Sequence, residues 1–398
     1  MTFTMCVAET FSMSGFAAYP TLLPQFQREW SLSNSEAGLI GGIVFAGYMT
    51  AVPALTALTD RMDSRRIYLG ASLLSALGAL CFALFAQGLW SALACQFLIG
   101  AGLGGMYMPG MKTLTDQLEG KAQARATAFY AACFGVASSV SIFVCGWLGR
   151  EFGWQAAFMF GAAGPLLAAA LVNLLMPKGR TRAAHAASPA LLDFRPVLAN
   201  RTTRYYILGY ALHNYELFGH RAWVVAFLAY AMTLQPAGAA VTLSAATLAA
   251  IITLCGPLMS VTGNELALRF GRTRVIFMFM TASSLLACGL GFTAGLPLYA
   301  VFGFLCAHCF LMLGDSAALT AGAIGSAHPD QRGAMMAVYS FIGFSAALIG
   351  PLVFGVVLDL AGGNRSTLAW GLAFASLGVF GAFAPVARWR YNKLNKIK

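Results

Sequence analysis

Charge is what this chain is shortest of. Only 10% of its 398 residues are Asp, Glu, Lys or Arg, 59% are hydrophobic, and the mean hydropathy is +0.72. A water-soluble globule of this size needs far more polar surface, so a cytosolic enzyme is excluded as a class. The net charge of +11 would suit nucleic acid, but no binding motif accompanies it and the basic residues are scattered among short loops, so no nucleic acid is expected. Cysteine is missing from every predicted loop. All nine fall within apolar runs and read as small packing residues, not as a disulfide framework. A phosphate-binding Gly-x-x-x-x-Gly-Lys-Ser/Thr loop is also missing, which leaves out ATP hydrolysis. The stretch Gly102 to Gly105 is helix packing, since no Lys-Ser/Thr follows it. With no Ser-His-Asp order either, the chain is read as a non-enzyme without a cofactor. The first apolar run has no basic cluster before it and no small-residue cleavage site, so it is read as a true span and not as a signal peptide.

What remains is a membrane protein. Twelve apolar runs of roughly 20 residues, each about long enough to cross a 30 Å hydrocarbon core as a helix, follow one another along the chain. They are placed at about 2–25, 36–58, 67–86, 90–113, 127–148 and 154–176, then 205–232, 241–262, 275–292, 297–323, 333–358 and 367–387. Ser33-Asn34-Ser35-Glu36 supplies the start of the second. Gly38, Gly41, Gly42 and Gly47 line that helix with small residues that permit close packing in lipid. Residues 177–204 are basic, polar and broken by proline, and are read as a cytoplasmic linker between an N-terminal bundle, 1–176, and a C-terminal bundle with a basic tail, 205–398. On one side of the bundle the loops and tail hold 21 Lys and Arg, whereas the other side has Arg28, Arg150 and Arg365. The excess of positive charge puts both termini in the cytoplasm.

The two halves read as one plan used twice. Glu9 and Glu216 are offset by 207 residues, Arg61 and Arg269 by 208, and Tyr130 and Tyr339, like Gly146 and Gly355, by 209. By this repeat the seventh helix starts at a point that maps just before residue 1, so a short leader is expected ahead of it. Glu9 and Glu216 each sit inside an apolar run, where a carboxylate costs a few kcal/mol even on lenient insertion scales (about +2.5 to +3.5). Such a group is more often functional than not. Burial disfavours the charged form, so it can take up a proton from one side and release it on the other.

The arrangement resembles the major facilitator superfamily of secondary transporters over nearly the whole chain. The turn between helices 2 and 3 carries the likeness: the family pattern Gly-x-Leu-x-Asp-Arg-x-Gly-Arg-Arg is met by Asp60, Arg61, Arg65 and Arg66 with one residue inserted, Thr56 and Asp63 standing where glycines are usual. A second copy keeps Leu266, Arg269, Gly271 and Arg272, with Leu268 at the acidic place. The resemblance implies an all-α fold of twelve transmembrane helices in two pseudo-symmetric six-helix bundles, and gives Asp60, Arg61, Arg65, Arg66, Arg269 and Arg272 a cytoplasmic gating role. Two departures stand out. Gln96, ahead of Gly100 and Gly102, replaces the Arg of an Arg-x-x-x-Gly-x-Gly pattern, and helix 5 lacks the Gly-Pro hinge of drug/proton antiporters, although Gly350-Pro351 occurs in helix 11.

The resemblance also places helices 1, 4, 7 and 10 around a central cavity, and the unusual polar residues fall on those four. Helix 1 has Glu9, helix 4 Gln96 and Tyr107, helix 7 His213, Asn214, Glu216, His220 and Arg221, and helix 10 His308 and Asp315. His213, Glu216 and His220 share a stripe by steps of three and four residues. With Cys6 and Met13 beside Glu9, and Cys306 and Cys309 beside His308, the set has soft atoms that would suit a transition metal or its chelate as cargo. Spacing alone fixes no ligand geometry, and no resident metal is expected. Arg221 offers a planar fork to a carboxylate or phosphate, or else a permanent ion pair for Glu216 or Asp315. For Asp315 the alternative is a helix-end cap. The expectation is a monomeric transporter of a small organic solute in the cytoplasmic (inner) membrane, coupled to protons through Glu9 and Glu216. An exporter of cationic or amphipathic compounds, and a flux-free sensor, are the alternatives.

Overall fold

The structure is a computed structural model and describes residues 1–59, 62–177, 195–236, 242–328, 331–379 and 381. Among them the backbone is helical throughout, with no strand. The helices ahead of residue 178 are α1 (Thr2–Ser12), α2 (Ala18–Glu29), α3 (Asn34–Leu58), α4 (Ser64–Phe85), α5 (Leu89–Thr115), α6 (Gly120–Phe152) and α7 (Trp154–Leu175). A short α8 (Arg195–Ala199) precedes α9 (Arg201–Thr233), α10 (Ala245–Phe270), α11 (Arg272–Leu290), α12 (Leu298–Leu313), α13 (Ser316–Ser326), α14 (Arg332–Leu360) and α15 (Thr367–Gly378). Taking α1 with α2 and α12 with α13 as single interrupted rods, and setting the five-residue α8 aside, gives twelve among the described residues, as the apolar runs predict. Among the described residues nine spans are long and apolar enough to cross a membrane, and the chain is a multi-pass membrane protein.

Local chemistry explains where these helices begin. Ser33 and Glu36 form a reciprocal capping box at the head of α3: Ser33 N donates to Glu36 Oε2 at 2.9 Å and Glu36 N to Ser33 Oγ at 3.2 Å. Asp63 caps α4 by accepting from Arg65 N at 3.0 Å. Asn200 caps α9 by accepting from Thr202 N and Thr203 N, so α9 starts at Arg201, ahead of the Tyr205 expected from hydropathy. Between α10 and α11 the chain reverses at one residue, Gly271, whose φ of 90° lies in the region glycine alone enters without strain.

By contact the chain divides into two units, residues 1–32 with 39–189 and residues 33–38 with 190–398. In the first, aromatic rings fill the core at one end: Phe82 and Phe158 stack at 3.8 Å, and Phe26 and Trp154 meet them edge-on. Trp223, Phe227, Phe354, Trp370 and Phe374 make a similar nest in the second. There too the carboxylate of Asp359, in the last turn of α14, accepts four hydrogen bonds from the first residues of α3, at Asn34 N, Asn34 Nδ2, Ser35 N and Ser35 Oγ.

The first rod is not the continuous helix that hydropathy predicts. Between α1 and α2, residues 13–17 tighten into turns such as Phe16 N to Met13 O and Ala18 N to Gly15 O. Two things hold the interruption in the apolar interior. Gly15 lies so close to Gly161 of α7 that a Cβ on it would sit 2.6 Å from the Gly161 Cα. Ser141 of α6 satisfies the loosened backbone, donating to Ser14 O at 2.7 Å and accepting from Ala17 N at 3.0 Å. Ser141→Ala strands both groups, and an orphaned buried donor or acceptor costs about 1–3 kcal/mol. A lower midpoint of thermal unfolding in detergent is the expected result, while the same change at half-buried Ser345, whose hydroxyl donates to Phe341 O of its own helix, should move the midpoint far less. The tenth rod is interrupted in the same way at Gly314 and Asp315, between α12 and α13, where hydropathy predicts one helix over 297–323.

Candidate functional site

In the first unit the site is built on Glu9, one turn ahead of the α1–α2 interruption and 1% exposed. Tyr130, reaching in from α6, donates to Glu9 Oε2 at 2.8 Å, and Ser12 Oγ lies 3.2 Å from the same oxygen. Among the described residues Oε1 is buried without a hydrogen-bond partner. Tyr107 of α5 packs its ring 5.7 Å from that of Tyr130, and its carbonyl is a second acceptor for the Tyr130 hydroxyl at 3.4 Å. Gln96, on the same helix, is buried elsewhere: eleven residues at about 1.5 Å each separate it from Tyr107. No hydrogen bond joins Gln96 to Glu9 among the described residues.

In the second unit the site lies between α9 and the interrupted rod. The stripe of α9 predicted from steps of three and four residues does face a single element, since each member meets a group on α12 or at the break. His213 Nδ1 is 2.8 Å from Asp315 Oδ1, with both side chains almost fully buried. Glu216 Oε1 is 2.9 Å from His308 Nε2, and Glu216 Oε2 accepts from Ser283 of α11 at 3.2 Å. His308 Nδ1 in turn lies 3.1 Å from His220 Nδ1. Among the described residues the Glu216 carboxylate thus has His308 on one oxygen and Ser283 on the other. Arg221 has its guanidinium carbon 5.7 Å from the centre of the Phe218 ring and lies near Cys309 of α12. Asp315 stands at the N-terminal end of α13 but makes no side-chain cap there, so the helix-end role is replaced by the contact with His213. Asn214 is buried beside Tyr210 and Gly343. Among the described residues no three His, Cys, Asp or Glu side chains are placed to hold a metal ion.

The expected gating residues separate into three groups. Asp60 and Arg61 lie outside the described residues. Arg65 donates through Nη1 to the carbonyls of Met176 at 2.7 Å and Asn173 at 3.4 Å, a cation on the C-terminal end of α7, where the helix dipole favours it. Arg66 and Arg269 are exposed, and Arg272 is half-buried near Gly325.

Three residues of the site, Ser12, Ser283 and Tyr130, lie outside the set that the sequence points to. Ser12 and Ser283 gave no signal, because serine is ordinary in membrane helices. In the sequence Tyr130 stands out only as a repeat partner of Tyr339. The offset was informative, since Tyr339 too meets a polar group on the interrupted rod, Thr320 Oγ1 at 2.8 Å, and stacks on Tyr210 at 3.9 Å.

Known proteins can be set against this geometry. A family model described as Major Facilitator Superfamily matches residues 5–307. The chain is 26% identical to the niacin transporter NiaP of Acinetobacter baylyi over 34% of this chain and 30% of that one. It is 27% identical to a probable 4-methylmuconolactone transporter of Cupriavidus pinatubonensis over 38% of this chain and 36% of that one. The matched stretches thus span about a third of the length of these curated relatives. Among solved structures, a bacterial homologue of the human lysosomal transporter Spinster superposes with a TM-score of 0.79 at 15% identity, over 98% of this chain and 96% of that one. The nucleoside transporter NupG superposes with a TM-score of 0.75 at 14% identity, over 97% of each chain. At such identities the likeness is one of fold.

Proposed function

Since the chain belongs to the Major Facilitator Superfamily, we propose that it is a secondary transporter that moves a small organic carboxylate across a cytoplasmic membrane, coupled to protons through Glu216 and Glu9. The observation that carries this reading is the fully buried array of Glu216, His308 and His220. An intramembrane carboxylate whose partners are imidazoles, not fixed cations, can gain and lose a proton without leaving a permanent charge unpaired. Glu9, whose oxygen is held by the neutral hydroxyls of Tyr130 and Ser12, meets the same requirement by different means.

The substrate class is supported by two independent lines. The relatives named above are described as carrying niacin and 4-methylmuconolactone, both small ring-bearing carboxylic acids. In this chain Arg221, on the same helix as Glu216, has the planar fork that suits a carboxylate and lies over the Phe218 ring, a surface for a flat substrate. In proteoliposomes of the full chain with an imposed pH gradient, acid outside, labelled nicotinate and benzoate are the probes. Accumulation above the internal equilibrium level, collapsed by a protonophore, is the expected result. Equilibration that ignores the gradient would overturn the coupling, and indifference to both acids with accumulation of an organic cation would overturn the substrate class.

A further inference from the structure

His308 is engaged at both ring nitrogens, by Glu216 Oε1 at 2.9 Å on Nε2 and by His220 Nδ1 at 3.1 Å on Nδ1. Each of these links has room for one proton, which restricts the states the array can adopt. With Glu216 ionised and both rings neutral, His308 donates its Nε2–H to the carboxylate. His308 Nδ1 must then accept, His220 must donate its Nδ1–H, and His220 Nε2 is left as the open acceptor. A proton arriving at that nitrogen can reverse every link. An N–H bond forms at His220 Nε2 while the one at Nδ1 breaks, its proton passing to His308 Nδ1. The His308 Nε2–H bond then breaks and an O–H bond forms on Glu216. One proton has entered, one has reached the acid, and both rings are neutral again in the opposite tautomers.

We propose that His220 and His308 form a two-ring proton wire that loads Glu216 from His220 Nε2. The inference rests on the reading of Glu216 as the coupling acid, and adds the route by which that acid is reached. The surroundings fit a route with no imidazolium at either end. On α9 the neighbour of His220 is Arg221, and a ring that ends neutral avoids setting a second cation beside that guanidinium. The other ionisable groups near the array are Cys306 and Cys309 of α12, Cys255 of α10, Cys288 of α11, and the Asp315–His213 pair at the break. Helix α14 carries Tyr339, stacked on Tyr210, and Asp359, which is engaged by Asn34 and Ser35. Helix α15 has no ionisable side chain and closes the array with the Phe374 ring, 6.3 Å from that of His220. Of these only the Asp315–His213 pair could offer a rival path, and its acid is already held by its own imidazole.

The wire makes a kinetic prediction that separates it from a structural role. In the full chain in nanodiscs, the protonated carboxyl of Glu216 is followed by infrared difference spectroscopy after a pH jump and assigned by its loss in Glu216→Gln. His220→Gln and His220→Phe should slow its appearance by about 100-fold, within the range of positioned acid–base groups, and leave its final amplitude nearly unchanged. An unchanged rate in both variants would overturn the wire and leave coupling through Glu216 standing. A carboxyl signal unaltered by Glu216→Gln would overturn both. Should the variants not fold, nitrogen-15 spectra of the histidines in the unmodified protein decide. Two neutral rings that exchange tautomers with pH are required, and a persistent imidazolium at His308 would sink the proposal.

Discussion

Glu216→Gln is expected to abolish accumulation driven by a pH gradient, bringing it down to the leak of protein-free liposomes, while exchange of internal for external substrate continues. The amide keeps the shape of the acid: its one oxygen can accept from His308 Nε2–H while its NH2 donates to Ser283 Oγ, so the packing of α9 against α12 should survive. What it cannot do is bind and release a proton. Net coupled movement requires the empty carrier to return with its proton site discharged, whereas exchange requires only that the loaded carrier move both ways. The split between the two assays is therefore the diagnostic. Equal loss of both would point to a substrate-binding or structural role, and retention of both would remove Glu216 from the coupling.

The second large effect is on stability. Asp315 and His213 are almost fully buried and 2.8 Å apart at the break between α12 and α13. Removing one partner of such a pair leaves a polar or charged group in the interior with nothing to answer it, at a cost of about 3–5 kcal/mol. Asp315→Ala and His213→Ala should each lower the thermal midpoint substantially. The double variant should be less destabilised than the sum of the two, because its second change removes a group that the first had stranded. Strict additivity would mean that the two side chains do not depend on each other, and would detach Asp315 from α9.

The number and order of the rods were legible because a helix that satisfies its own backbone polar groups in lipid needs a long apolar run, unlike the short alternating segments of a membrane β-barrel. The stripe of His213, Glu216 and His220 was legible for a related reason: helical periodicity sends steps of three and four residues to one face. The partners were not. That His308 takes Glu216 depends on where α12 lies against α9, which no local spacing encodes. The interruptions at residues 13–17 and at Gly314–Asp315 were also hidden. Hydropathy averages over a window and gives the same value whether the backbone continues or tightens within it. Ser141, the residue that makes the first interruption tolerable, is more than a hundred positions away in the chain and resembles any other small helix residue.

Ser141 also bears on how this rod yields under load. A straight helix that bends must stretch its ladder on the convex side, and in hydrocarbon no water relieves the strain. In the first rod the ladder has already been parted, and a hydroxyl from a neighbouring helix has taken over the groups set loose. Flexure there pivots on a side-chain contact and not on broken main-chain bonds. The point at which the ladder is parted falls one helical turn from the carboxylate of Glu9, so a tilt of the segment holding the acid would leave the main-chain bonds of the remaining span intact.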